Sequence, residues 1–359
     1  MINYLLCTAV TIWDEPIRSR HQVANELKKK GIVYFVERNR VGKPRIEVRK
    51  VEDNVILISP YFFIDYRIRY RTPLLNEIYY NWLLTKIRGL NIDFEIVFTY
   101  DHTSHLINNF YNNVVYYCSD DHIGNGNFNP FFVNAYHRKT EHLLAAKVKM
   151  CIVTVAYLYN KLIQVNKNTH IVPLGTTTVE EALVKFKPNN NPVPTLALVA
   201  YIDKRMPLKL LDDIVNNFSL VFIGPSKNEI RKRYLNNTNA KFVGVKNGKE
   251  LFEIINGVDI CIAPYNEKKI NKGLTPSKLW LYLSFGKPVV ITNLKNIQNL
   301  DFGDKIIYKC NDDDFVERIW EAYNDNNIEL FKKRIKLSKT NSWEKRIDQI
   351  LRLYYSDYV

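Results

Sequence analysis

Short runs rich in Val, Ile, Leu, Phe and Tyr recur along this chain, separated by stretches whose apolar residues fall three and four positions apart. The runs suit strands buried on both faces and the spaced stretches suit amphipathic helices, so the alternation predicts parallel α/β sheets. In the first half, strands are expected over Asn3–Val10, Ile32–Glu37, Asn54–Ser59, Glu95–Tyr100, Val114–Cys118, Lys149–Val155 and His170–Pro173. Helices are expected over Arg18–Lys30, from Thr72-Pro73 to Arg88, and over Leu106–Tyr111, Phe132–Lys147 and Ala156–Val165. The run K-P-N-N-N-P-V-P then interrupts the pattern as a turn-rich linker.

After it, strands are expected over Thr195–Tyr201, Leu220–Ile223, Lys241–Val245, Asp259–Ala263, Val289–Thr292 and Lys305–Lys309. Helices over Asp312–Tyr323, Ile328–Lys339 and Ser342–Tyr355 close the chain. Two Rossmann-like domains are expected, residues 1–175 and 195–340 on either side of a linker at 176–194, with residues 341–359 as a terminal helix. The default binding site of such domains is the cleft outside the carboxyl ends of their strands.

One stretch of the second half carries a specific chemical signal, G-L-T-P-S-K-L-W-L-Y-L-S-F-G-K-P-V-V-I-T from Gly273 to Thr292. Thr275 is placed to cap a helix, Pro276 suits its first position, and Gly286 followed by Lys287-Pro288 ends it. The free N–H groups of that helix lie beside Ser277 and Lys278, and dipole, donors and cation together favour a phosphate. An ordinary helix–strand unit with a surface lysine gives the same pattern.

Composition narrows the classes. With 359 residues, 46% hydrophobic and 25% charged, the chain reads as globular and long enough for two domains. No apolar run approaches the ~20 residues needed to span a bilayer. The opening M-I-N-Y-L-L-C-T-A-V enters a strand pattern without a basic leader, so no signal peptide is expected. The five cysteines are widely spaced, mostly within strand-like runs, and are expected as buried thiols. An excess of 51 Lys and Arg over 37 Asp and Glu, net +14, favours anionic partners.

Asp120, Asp121 and His122 directly follow the strand expected at Val114–Cys118. A carboxylate there suits a general base, especially with its pKa raised by partial burial, although capping of the turn made by Gly124-Asn125-Gly126 explains it equally. Five histidines (His102, His105, His122, His137 and His142) crowd one window with Asp101, yet none has the helical spacing of a metal site and no metal is expected. His102 is instead a candidate for lining an acceptor pocket. Tyr61–Arg71 interleaves Phe62, Phe63, Tyr66 and Tyr70 with Arg67, Arg69 and Arg71, which puts the arginines on one face if the segment is extended. That face suits anionic lipid head groups or nucleic acid, and a solvated edge strand is the alternative.

The ordered set of segments resembles the bacterial GT-B type glycosyltransferases that build surface polysaccharides, including the glucuronosyltransferase-like members. The resemblance runs through D-E-P-I-R-S-R-H-Q-V-A-N-E-L, V-V-Y-Y-C-S-D-D-H and I-V-P-L-G-T-T in the first half. It continues through Y-I-D-K-R-M-P-L-K-L-L, F-I-G-P, D-I-C-I-A-P-Y, P-S-K-L-W-L-Y-L-S-F-G-K-P-V-V and the closing N-S-W-E-K-R-I-D-Q-I-L. It implies transfer of a sugar from a nucleotide diphosphate, UDP- or GDP-linked, to a glycan or lipid-linked acceptor, without metal or nucleic acid. The enzyme would work in the cytoplasm, at the inner face of the membrane, with its terminal helix crossing back to the first domain. Carried onto this sequence, it implies Lys278, Ser277, Thr275, Arg205, Asp203, Gly224, Pro264 and Tyr265 on the donor side. Arg20, His21 and His102 fall on the acceptor side, and Asp121, Asp120 and His122 at the chemistry. Two positions depart from the pattern: Leu281 stands where many relatives hold ribose with a Glu, and Ala200 where a glycine is usual. Leucine accepts no hydrogen bond, so either ribose is held otherwise or the nucleotide is held weakly. A non-catalytic subunit that keeps the fold, or a basic nucleic-acid-binding protein, is the alternative reading.

Overall fold

The computed structural model describes the chain except residues 1, 9, 16, 125–130, 178, 180–182, 267–276, 299–301 and 357–359 and the side chain of 298. It divides into two compact units. Met1–Leu174 with the terminal segment Trp343–Val359 forms the first, and Gly175–Ile270 with Pro276–Ser342 the second.

Unit 1 is built on strands β1 (Asn3–Cys7), β2 (Ile32–Val36), β3 (Arg40–Val41), β4 (Arg45–Glu52), β5 (Val55–Phe62), β6 (Ile96–Thr99), β7 (Val114–Cys118), β8 (Met150–Val153) and β9 (Thr169–Ile171). They form one sheet in the order β3-β5-β2-β1-β6-β7-β8-β9, with β4 antiparallel to β5 and all other pairs parallel. Helices α1 (Ser19–Leu27), α2 (Tyr66–Arg71), α3 (Pro73–Arg88), α4 (Phe131–Lys147) and α5 (Ala156–Leu162) connect them, with a 3-10 turn at His105–Asn109.

Side chains alternate across the sheet as the period of two requires. Leu5 and Cys7 face Tyr79, Leu83 and Leu84 of α3. Tyr4 and Leu6 face Val23, Ala24 and Leu27 of α1. Trp343, Ile347, Ile350 and Tyr354 of the terminal helix (Trp343–Ser356) complete that second face, which Lys30–Asp348 (2.8 Å) and the Tyr354 hydroxyl on the Glu95 carbonyl (3.2 Å) pin at its rim.

Two features depart from the reading of the sequence. The strand β4 is absent from the hydrophobic pattern because most of its side chains are exposed, with only one face of an edge hairpin to satisfy. Tyr61–Arg71 is not extended: β5 ends at Phe62, and Asp65 caps α2 by accepting the Arg67 amide (2.9 Å). Its arginines therefore diverge. Arg67 and Arg71 are exposed, whereas Arg69 is buried against the rings of Tyr70, Tyr79 and Tyr80 and bonded to Asn39 and Asn76.

Unit 2 has a parallel sheet of β10 (Thr195–Val199), β11 (Ser219–Ile223), β12 (Ala240–Gly244), β13 (Ile260–Ala263), β14 (Val289–Thr292) and β15 (Ile307–Cys310), in the order β12-β11-β10-β13-β14-β15. Helices α6 (Leu208–Asn217), α7 (Asn228–Arg233), α8 (Gly248–Gly257), α9 (Ser277–Ser284), α10 (Lys295–Gln298), α11 (Phe315–Asn324) and α12 (Ile328–Thr340) surround it. Gly286 ends α9 as expected, at φ +65°, where an added Cβ would lie 2.2 Å from the Phe331 ring. Arg334 of α12, fully buried, donates to the carbonyls of Gly286 (3.3 Å), Ile306 (3.2 Å) and Lys305 (3.0 Å) and so clamps α12 beneath α9. All five cysteines are buried free thiols.

Ile347 is fully enclosed between the terminal helix and the first sheet, so Ile347→Ala should cost about 2–5 kcal/mol of stability. Urea unfolding measures this, and an unchanged midpoint would mean the helix contributes nothing to that core.

Candidate functional site

In a parallel sheet, the loops leaving two neighbouring strands part where the strand order reverses, and a ligand crevice opens beyond their carboxyl ends. In unit 2 the reversal lies between β10 and β13. Asp203 and Arg205 follow β10, and Pro264 and Tyr265 follow β13. A cavity of about 530 Å³ opens at this end of the sheet, lined by Lys204, Lys209, Tyr265, Thr292, Asn311 and Asp312 among others. The Tyr265 amide donates to the Thr292 hydroxyl (2.8 Å), which fixes one wall. A larger groove of about 660 Å³, between Lys30 and the terminal helix, lies instead at the amino end of the first sheet.

Helix α9 begins at Ser277 and presents first-turn N–H groups that no intrahelical carbonyl can satisfy. Its seat is set by Tyr282, wholly buried, whose hydroxyl accepts the Val199 amide (2.8 Å) at the end of β10. Lys278 is exposed and has no ion-pair partner among the described residues. Protein packed around its stem pushes the ammonium pKa down from its usual value. Lys287, at the other end of the helix, is employed differently: it is buried, donates to the carbonyls of Asn256 (2.9 Å) and Val258 (2.7 Å), and burial lowers its pKa to about 8.

Arg205 is held by Asp203, with Nε 2.9 Å and Nη2 2.9 Å from Oδ2, and still exposes 64% of its side chain. Gly224 has a packing reason of its own. At φ +130° its added Cβ would lie 2.1 Å from the Ala200 carbonyl oxygen, so glycine is needed for β10 and β11 to approach there. Leu281 and Ala200 are both half-buried. Thr275 lies outside the described residues.

In unit 1 the order reverses between β1 and β6. Arg20 lies there, 7% exposed, its guanidinium 5.0 Å from the Tyr100 ring and its Nη1 3.3 Å from the Thr11 hydroxyl. His21 is engaged by its own loop. It is buried, its Nδ1 accepts the Arg18 amide (3.0 Å), its Nε2 donates to the Ile12 carbonyl (3.1 Å), and its ring stacks on Phe35. Both nitrogens are spent holding the loop after β1, which corrects its expected acceptor role.

Of the crowded histidines, three meet. His137 Nε2 donates to the Tyr70 carbonyl (2.8 Å), leaving Nδ1 to accept from His102 Nε2 (3.1 Å), while His122, open to solvent, stacks on His102 with ring centroids 5.8 Å apart. Burial lowers the His102 pKa to about 3, so it is neutral. Asp101 beside it accepts from the hydroxyls of Tyr70 and Tyr80 and from the Thr103 amide (2.9 Å). Among the described residues no group of three or more His, Cys, Asp or Glu is arranged to hold a metal.

Asp121 departs from the expected base. Its carboxylate accepts the Gly124 amide (3.0 Å) and pairs with Lys161 (3.2 Å), which also pairs with Glu141 (2.6 Å). Burial pushes its pKa up, but the Lys161 ammonium and the Gly124 amide outweigh it and the net shift is downward. A weakly basic carboxylate tied to a turn is a structural group first. Asp120 is half-buried and accepts the Asp121 amide (2.8 Å). Lys161 was invisible in sequence because it lies 40 positions from its partner.

Asp121→Asn should therefore lower stability by about 1–3 kcal/mol at neutral pH. A depressed folded-state pKa gives stability that is present above the unfolded value, about 3.9, and lost as pH falls through the folded one. The wild-type-minus-variant difference should shrink below about pH 4 in denaturation series, and a difference constant through that range would contradict the pairing.

Comparison with known proteins bears on the second unit in sequence and on both in fold. Residues 200–325 match the family model described as Glycosyl transferases group 1. A curated relative, the putative teichuronic acid biosynthesis glycosyltransferase TuaH of Bacillus subtilis, is 29% identical over 117 residues, 32% of this chain and 30% of its own length. The chain thus spans under a third of that relative. Among solved structures, sucrose-phosphate synthase from Thermosynechococcus elongatus superposes with a TM-score of 0.73 at 13% identity, covering 99% of this chain and 98% of that one. WaaG, a glycosyltransferase involved in lipopolysaccharide biosynthesis, superposes at 0.66 and 11% identity over 99% of both chains. The resemblance read from the sequence is supported at both levels: the chain shares the GT-B fold of these structures, and residues 200–325 match the group 1 glycosyltransferase model.

Proposed function

We propose that this protein is a glycosyltransferase of polysaccharide synthesis, moving a sugar from a UDP- or GDP-linked donor to a glycan or lipid-linked acceptor. The observation that carries this is Lys278, a cation with no partner among the described residues at the start of a helix seated against β10. Departure of a nucleoside diphosphate leaves negative charge on its oxygens, and preorganised donors that meet this charge lower the barrier. In this proposal the amides of Ser277 and Lys278 and the Lys278 ammonium hold the diphosphate, and Arg205, already oriented by Asp203, adds a second cation. Tyr265 and Pro264 line the base end. No metal is required, since the cations supply the charge. Leu281 offers ribose no acceptor, so grip on the nucleotide falls on the phosphates.

The acceptor is placed at the carboxyl ends of β1, β6 and β7 in unit 1. Burial keeps the neighbouring His102 neutral at physiological pH, and His122 stacked on it is a nitrogen base open to solvent. In this proposal His122, with Asp120 beside it, takes the acceptor proton if the reaction inverts.

The acceptor's lipid end gives unit 1 a reason to rest on an anionic bilayer. Phe63, Ile68 and Leu74 expose 53%, 57% and 69% of their surfaces, Phe131 and Phe132 expose 87% and 62%, and Arg67 and Arg71 of the same unit are exposed as well. Exposed aromatics with arginines suit a head-group interface. Among the described residues no helix is long and apolar enough to cross a membrane.

Two experiments test this. In a thermal-shift panel of UDP, GDP, CMP and TDP, with and without divalent metal, one nucleotide should raise Tm irrespective of metal and Lys278→Ala should abolish the response; silence across the panel overturns the enzyme. Full-length protein should co-sediment with phosphatidylglycerol vesicles and not with phosphatidylcholine vesicles, and a Phe131→Ser, Phe132→Ser double variant should weaken this at least fivefold. Equal sedimentation of variant and wild type would remove the membrane face.

A further inference from the structure

Among the described residues of unit 1, Arg20 is a buried cation that its surroundings leave incomplete. It is 7% exposed, and among the described residues its Nε has no hydrogen-bond partner and Nη1 has only the long 3.3 Å contact to the Thr11 hydroxyl. No carboxylate pairs with it among the described residues. The nearest acid in chemistry, Asp101, is committed to two tyrosine hydroxyls and to Thr103. Tyr100, against whose ring the guanidinium lies, likewise has a buried hydroxyl without a partner. A buried cation without a counter-charge is costly, and one ring face offsets little of that cost.

Other buried arginines show what completion looks like. Arg69 is enclosed by three tyrosine rings and two asparagines, and Arg334 by three carbonyls and Asn326. Arg20 differs in place as well. It bridges the loop after β1 and the residue after β6, the two strands between which the order of the sheet reverses. That is where a ligand enters such a sheet.

We propose that the acceptor bound in unit 1 is anionic, and that Arg20 recognises its carboxylate or phosphate through the unfilled edge of the guanidinium. This rests on the placement of the acceptor in unit 1 and goes beyond it by fixing the acceptor's charge. A planar guanidinium pairs with either group through two parallel N–H bonds, so the chemistry is shared by a uronic acid and a sugar phosphate. Arg20 then acts as a specificity residue: it selects the acceptor's charge without taking part in bond cleavage.

The test is direct binding to full-length protein by ligand-observed NMR titration with four probes: D-glucuronate, α-D-glucose 1-phosphate, methyl α-D-glucoside and inorganic phosphate. One anionic sugar should bind roughly 10- to 100-fold more tightly than the neutral glucoside, the range expected for one charge-assisted contact. Which anionic sugar wins identifies a carboxylate or a phosphate source. Arg20→Gln should erase that preference, leave glucoside binding unchanged, and preserve the thermal response to nucleotide. Arg20→Lys should keep part of it. Equal binding of neutral and anionic sugars by the wild-type protein overturns the proposal and needs no variant. So does a loss of all sugars equally in Arg20→Gln, or a response to inorganic phosphate that survives the substitution. A retained nucleotide response with no anionic preference sinks this inference alone, whereas loss of the nucleotide response sinks the transferase itself.

Discussion

The hydrogen bond from the Val199 amide to the Tyr282 hydroxyl holds the proposed donor site together. Both groups are at the end of β10 or beneath it, and Tyr282 is wholly buried, so a misplaced helix would leave a polar group unsatisfied in the core. That bond fixes the rotation of α9 about its axis and therefore where Ser277 and Lys278 point their first-turn amides. Gly286 and Arg334 fix the far end, the glycine by its left-handed turn against Phe331 and the arginine by its bond to the Gly286 carbonyl. These contacts seat the C-terminal half of α9, and donors preorganised at its first turn are what electrostatic stabilisation of a leaving group requires.

How each cation is satisfied separates structural from chemical roles. Lys161 joins Asp121 and Glu141, Lys287 caps two carbonyls, and Arg69 and Arg334 fill polar cages of the protein's own making. Such groups fold the chain. Among the described residues Lys278 has no ion pair and Arg20 no Nε partner, and each stands at a reversal of strand order, one in each unit. Desolvation lowers the pKa of both below its ordinary value, the direction that an arriving anion would reverse.

The core strands were legible because a parallel sheet buried on both faces needs continuous apolar runs, and Val114–Cys118 and Val289–Thr292 appear at their expected bounds. The edge was not. β4 presents polar residues because it has little to bury, and the alternation of Tyr66, Arg67, Arg69 and Tyr70 imitates a strand although Asp65 caps a helix there. The cap that decides for helix is one residue, Asp65, against a period-two pattern running through the whole segment. At the site, the local signals held where they concerned helix ends, as with Gly286. They failed where a partner lay far along the chain: Lys161 for Asp121, at 40 positions, and Tyr282 for Val199, at 83. His21 misled for a related reason, since its two nitrogens are spent within the loop that the resemblance assigns to the acceptor.

The most direct test is a crystal structure of the protein with UDP or GDP, whichever it binds. The diphosphate should lie with its oxygens about 3 Å from the amides of Ser277 or Lys278 and from the Lys278 ammonium. A nucleotide bound elsewhere in unit 2, or that first turn covered by the protein's own chain, would contradict it.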